Sequence, residues 1–152
     1  MRVPPHHDPN CWGCGNSPDG IRLPLPSAEG ATTYDARFRF DERHQAGPGL
    51  VHGGLVSAAL DEACGLLATW HRFPSVTARI FVRYRAPVPI NRELLVRSWV
   101  VDTRGRRTHV DGELVSEDNV LAEARCAFLH VPLEHFLRTP EGRAAAERLR
   151  NS

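Results

Sequence analysis

No lysine occurs in this chain: all 19 basic residues are arginine. That removes Schiff-base and other amine chemistry from a lysine side chain. It leaves guanidinium forks, which grip phosphate or carboxylate bidentately. Net charge is also nearly absent. The 19 arginines face 18 acids, a formal +1, so no overall field draws the chain toward nucleic acid or a membrane surface. Aromatics make up only 7% and the basic residues lie among acids, which argues against a nucleic-acid partner. No apolar run reaches the roughly 20 residues of a membrane span. The first ten residues are rich in Pro and His rather than forming a basic-then-apolar leader, so a soluble, cytoplasmic protein is expected. Cysteine is sparse. Cys64 and Cys126 lie in apolar patterns that suit reduced, buried thiols, and Cys11 and Cys14 form one C-x-x-C pair.

The length suits one domain with a sizeable core. Residues 1–30 read as a loop segment, 31–135 as the folded domain, and 136–152 as a short C-terminal helix and tail. Thr32 to Phe40 alternates apolar and polar residues, the mark of a half-exposed strand. Gly47, Pro48 and Gly49 then break the chain ahead of Leu55 to Ala68, which is apolar at almost every position. This is expected to be one long helix buried on most sides, ending near His71 and Pro74. Strand patterns follow at Ser75–Ala86, Glu93–Thr103, Arg107–Ser116 and Val120–Leu133, joined by short turns except across Pro87 and Pro89. They read as a four-strand antiparallel meander. In the first of them Val76, Ala78, Ile80, Val82 and Tyr84 are assigned to one face. Thr77, Arg79, Phe81, Arg83 and Arg85 are assigned to the other. The class is therefore α+β: one antiparallel sheet of five or six strands curled around one central helix. Its open edges invite pairing with a second chain.

Two features carry chemistry. Asp61 sits inside the apolar helix, where an ionised carboxylate is costly unless paired or put to use. Gly53 and Gly54 open the helix, leaving bare N–H groups at the positive end of its dipole. Bare amides at one end and an acid further along suggest carbonyl chemistry. The C-x-x-C pair is half of a zinc site, and His6 and His7 are suitable further ligands. The plainer reading is preferred: a turn whose two thiols pack beneath the helix or at a subunit contact.

Gly49-x-x-His52-Gly53-Gly54, the helical Leu60-Asp61-Glu62, and Thr77 sixteen residues after Asp61 together resemble the hotdog-fold acyl-CoA thioesterases. The likeness is to the phenylacetate-pathway and thioesterase-superfamily-member types. It runs from about Cys11 to Leu133 and includes Cys11-x-x-Cys14-Gly15, His44-Gln45 and Tyr84-x-x-Pro87-x-Pro89. The resemblance implies hydrolysis of an acyl-CoA thioester without metal or organic cofactor, coenzyme A being part of the substrate. It implies that the Gly53 amide polarises the thioester carbonyl, and that Asp61 activates water or attacks directly. Thr77 would help hold that water. His52 either positions substrate, as the resemblance implies, or orients the loop through hydrogen bonds. Gly54 is a further substrate-facing amide.

Some relatives carry an Asn six positions before the His as a second carbonyl donor. Ala46 stands there in this chain, and the neighbouring Gln45 is the candidate substitute. Arg79, Arg83 and Arg85 read either as a solvated or intersubunit face or as a grip on the phosphates of coenzyme A. Arg104, Arg106 and Arg107 compete for the latter role. Glu62 is expected to face a salt bridge or a partner chain.

Spacing adds one constraint. Gly53 and Asp61 are eight residues apart, about 12 Å along a helix axis, so one carbonyl cannot meet both on one chain. A homodimer, alone or paired into a dimer of dimers, would bring Gly53 of one subunit to Asp61 of the other. Two rival readings share the fold: an acyl-CoA-binding domain without catalysis, and an enoyl-CoA hydratase or dehydratase. No His follows Asp61 at a short helical spacing, as the latter typically needs.

Overall fold

The computed structural model describes residues 8–150. His6 and His7 lie outside the described residues. The alternating stretch forms β1 (Thr33–Arg39), in which Tyr34, Ala36 and Phe38 are buried and their neighbours exposed. The apolar stretch forms α1 (Gly53–His71), with buried residues at 56, 59, 60, 63, 64 and 66 to 70. Such a wide stripe recurs at helical spacing and leaves little of the helix for water. Four strands follow: β2 (Ser75–Tyr84), β3 (Glu93–Arg104), β4 (Arg107–Ser116) and β5 (Asn119–His130). A short polar helix, α2 (Pro140–Arg150), closes the chain, and the Thr139 hydroxyl caps it by accepting the Gly142 N–H. Among the described residues no helix is long and apolar enough to cross a membrane.

All strand pairings are antiparallel, in the order β1-β3-β4-β5-β2, and α1 contacts every strand of this single sheet. The expected four-strand meander is thus corrected to three strands, β3-β4-β5, with β2 at the far edge beside β5. The reason lies in residues 85–92. Pro87 and Pro89 cannot donate to a ladder, and the connector is too long for a tight hairpin. It docks instead on the loop before α1. There Val51 N–H donates to the Val88 carbonyl (2.8 Å) and Ile90 N–H to the Gly49 carbonyl (3.1 Å). The chain thereby crosses past the start of α1, and β3 pairs with β1.

Sheet and helix meet closely at Gly112. A Cβ there would lie 2.8 Å from the Cys64 sulfur, itself fully buried against β5's Cys126. Replacing Gly112 by Ala is expected to cost about 1–3 kcal/mol by overpacking, read as a lower midpoint in urea unfolding. An unchanged midpoint would show that the helix can move away freely.

Candidate active site

A bulge in β2 decides which side chains face α1. Thr77 pairs with Phe128 and Arg79 with Ala127, so Ala78 is the extra residue in the ladder. One inserted residue exchanges the faces of everything before it. Thr77 therefore joins Ile80, Val82 and Tyr84 on the helix side, which corrects the plain alternation that placed it with Arg79 and Arg83. Its hydroxyl donates to Asp61 Oδ1 at 2.9 Å. Burial pushes the Asp61 carboxyl above its ordinary range, and the Thr77 bond pulls partly the other way. The pair opens into a cavity of about 220 Å³ lined by Leu66, Thr69, Ser75, Phe128 and Phe136 among others.

At the other end of β2, the Tyr84 hydroxyl donates to the Gly53 carbonyl at 2.7 Å and lies 2.6 Å from the Ser57 hydroxyl. It anchors the start of α1 to the edge strand. His52 is the N-cap: its Nδ1 accepts the Gly54 N–H at 3.0 Å, and its carbonyl accepts those of Leu55 and Val56. A ring nitrogen that accepts carries no proton, so the neutral imidazole holds its proton on Nε2. The loop-orienting reading of His52 has this direct geometric basis. Of the first-turn amides, Gly53 N–H alone has no acceptor among the described residues, and Gly53 is exposed.

Gln45 lies nearby in the loop, its Oε1 accepting the Gly49 N–H at 2.7 Å. His44, quoted from the sequence only as part of a resemblance, is a buried support of this loop. Its Nδ1 accepts the Asp41 N–H, its Nε2 meets the Asp19 carbonyl at 2.7 Å, and its own carbonyl accepts the His52 N–H at 2.8 Å. Nothing in periodicity marks such a role; only a polar residue 3% exposed reveals it.

The structure brings Thr77 to Asp61 and groups His52, Gly53, Gly54 and Gln45 around the helix start. Arg79, Arg83 and Arg85 lie on the sheet face away from α1, and Arg85 pairs with Glu123 at 2.8 Å. The Glu62 carboxylate sits against the Cys11 thiol, its two oxygens at 3.7 and 3.8 Å.

A sheet wrapped on one helix, with an acid–hydroxyl pair and a glycine-opened helix start, defines a class. Residues 48–123, half of the chain, match the model of the Thioesterase superfamily, and the chain belongs to that superfamily. It is 26% identical over 86 residues to acyl-coenzyme A thioesterase THEM4 of Xenopus laevis, covering 57% of this chain and 39% of that protein. The Rattus norvegicus counterpart is 27% identical over 90 residues, 59% and 39% respectively. The chain thus spans about two fifths of the length of the curated relatives it matches. Among solved structures, a thioesterase superfamily protein aligns with a TM-score of 0.66 at 25% identity, over 81% of this chain and 63% of that one. A mutant of the phenylacetic acid degradation protein PaaI of Thermus thermophilus aligns at 0.66 and 23%, over 74% and 95%. A Streptococcus mutans protein bound to acetyl CoA aligns at 0.66 and 18%, over 72% and 88%. The last two show the shared hotdog fold.

Proposed function

We propose that this protein hydrolyses acyl-CoA thioesters at a site shared between two copies of the chain. The observation that carries the reading is the pair of ends on one edge strand. Asp61 is held by Thr77 at one end of β2, and at the other Tyr84 holds the Gly53 carbonyl, beside a Gly53 N–H with no acceptor among the described residues. β2 is a sheet edge, with Thr77, Ala78, Arg79, Phe81 and Tyr84 exposed. An antiparallel copy centred near Ile80 and Phe81 would set Tyr84 of one chain opposite Thr77 of the other. Gly53 then approaches Asp61 across a twofold axis, and the two sheets become one.

The chemistry follows from donors and acceptors. The Thr77 proton is engaged by Asp61, so toward a water both Thr77 Oγ1 and the second Asp61 oxygen can only accept. A water donating to both turns a lone pair outward. Asp61 takes its proton as the oxygen adds to the thioester carbon, and the Gly53 N–H of the other chain stabilises the oxyanion. Collapse breaks the carbon–sulfur bond. The coenzyme A thiolate leaves and regains the proton from Asp61. No metal or organic cofactor enters these steps. Of the strand arginines, Arg79 and Arg83 are the candidates for the coenzyme A phosphates, since Arg85 is already paired.

The acyl group has a place of its own. Thr69, Ser75 and Phe136 line both the Asp61 cavity and a second, apolar chamber of about 460 Å³ formed by Trp70, Phe73, Leu133, Leu137 and the alanines of α2. A tail leading from Asp61 past Phe136 would bury methylenes there. Each is worth about 0.8 kcal/mol, or about fourfold in kcat/KM, until the chamber fills. A thiol-release screen across acyl-CoAs of increasing length is expected to show that rise, and Phe136→Ala should shift the preference toward longer tails. Tight acyl-CoA binding with no thiol release across the series would overturn the hydrolase reading in favour of a binding domain.

A further inference from the structure

The loop ahead of β1 is folded onto α1 through side chains that the hydrolase reading does not use. The Cys11 thiol lies 3.7 and 3.8 Å from the two carboxylate oxygens of Glu62. A ligating atom from each of Cys11, Cys14 and Glu62 lies within 4.8 Å of the others, and all three side chains are partly exposed. The backbone around them is tightly tied. Gly15 N–H donates to the Cys11 carbonyl (2.9 Å), Asn16 N–H to that of Pro9 (2.7 Å), and Leu23 N–H to that of Gly13 (2.7 Å). The loop also presses against the helix. A Cβ at Gly13 would lie 2.2 Å from Glu62 Cγ, so only glycine admits this approach.

We infer that Cys11, Cys14 and Glu62 form a zinc-binding site that clamps the N-terminal loop onto the central helix. The C-x-x-C spacing supplies two thiolates from one turn, and zinc accepts sulfur and carboxylate together. With Zn–S near 2.3 Å and Zn–O near 2.0 Å, tetrahedral geometry sets sulfur and oxygen about 3.5 Å apart. The observed 3.7 and 3.8 Å need only a small contraction around an ion. Both thiols already converge with Glu62 through hydrogen bonds, Cys11 to Glu62 and Cys14 to both, and zinc would take the place of those shared protons. Zinc entry converts two thiols to thiolates and releases two protons to solvent; no electron is transferred. The fourth position is left to water or another donor. Zinc here is structural. Glu62 adjoins Asp61 in sequence but faces the loop, so the site and the hydrolase reading stand or fall separately.

The test uses the full chain, kept reduced and stripped with a chelator, then titrated with Co(II). One equivalent should bind with a thiolate-to-cobalt charge-transfer band, and Zn(II) should displace it. Zn(II) should also raise the melting temperature with rising concentration, as any ligand of the native state does. Cys11→Ser and Cys14→Ser should each lose the band, whereas Glu62→Gln should keep it at lower affinity. No charge-transfer band in the wild-type chain would overturn the site. So would a band that survives in the Cys11→Ser/Cys14→Ser double variant, or a Cys11–Cys14 disulfide that forms in place of metal binding.

Discussion

Asp61→Asn is expected to abolish most thioester hydrolysis while leaving the fold intact. A positioned general base contributes about 10²–10⁴-fold, and a loss of that size should appear in kcat/KM for any acyl-CoA the wild type accepts. Thr77 can still donate to the amide oxygen, so the packing seen between α1 and the β2 bulge survives. Stability should move the opposite way to activity. Burial raises the Asp61 pKa in the folded chain. A group so raised contributes stability that is fully present below its unfolded pKa, near 3.9 for Asp, and lost as pH rises through the folded value. At neutral pH the charged carboxylate is therefore a liability, and the neutral Asn should raise the melting temperature. The same sign sets the pH profile: the base must be ionised, so kcat/KM should fall on the acid side with a midpoint above the ordinary aspartate range. Wild-type turnover in Asp61→Asn would remove this carboxylate from the mechanism. A drop in melting temperature would make it structural instead.

The legible parts of this chain are those that periodicity controls. The span of α1, the extents of β1, β3 and β4, and the start of α2 at Pro140 all follow from spacing, caps and breakers, as does the buried state of Cys64 and Cys126. What escaped is non-local. The place of β2 beside β5 depends on where the Pro87–Pro89 connector docks, and that contact joins residues far apart in sequence. The bulge at Ala78 leaves no trace in composition, yet it turns Thr77 toward the helix and joins it to Asp61. The spacing from Asp61 to Thr77 was visible as a motif, while the alternation around it pointed Thr77 the wrong way. Glu62 shows the same limit. It contacts a loop about fifty residues earlier, and no local pattern relates the two.

Gly53→Pro tests the other half of the site and the seam between chains. Proline lacks an N–H, so the substitution deletes the proposed carbonyl donor and little else. Its fixed φ suits the first helical position. It also requires the preceding residue to be extended, and His52 already is, at φ −58° and ψ 130°. A Cβ at residue 53 would meet Tyr84 at 3.6 Å, an ordinary contact. Removing one such donor is expected to cost about 10²–10³ in kcat with an unchanged melting temperature. Mixing then separates a shared site from a single-chain one. In a twofold dimer of Gly53→Pro with Asp61→Asn, one site carries both lesions and the other carries neither. If subunits reassort freely, half the dimers are mixed and each has one intact site of two, so about a quarter of wild-type activity should return from two inactive proteins. A monomeric chain, or a site built within one subunit, recovers nothing. No recovery after proven subunit exchange would therefore end the two-chain site, whatever each variant does alone.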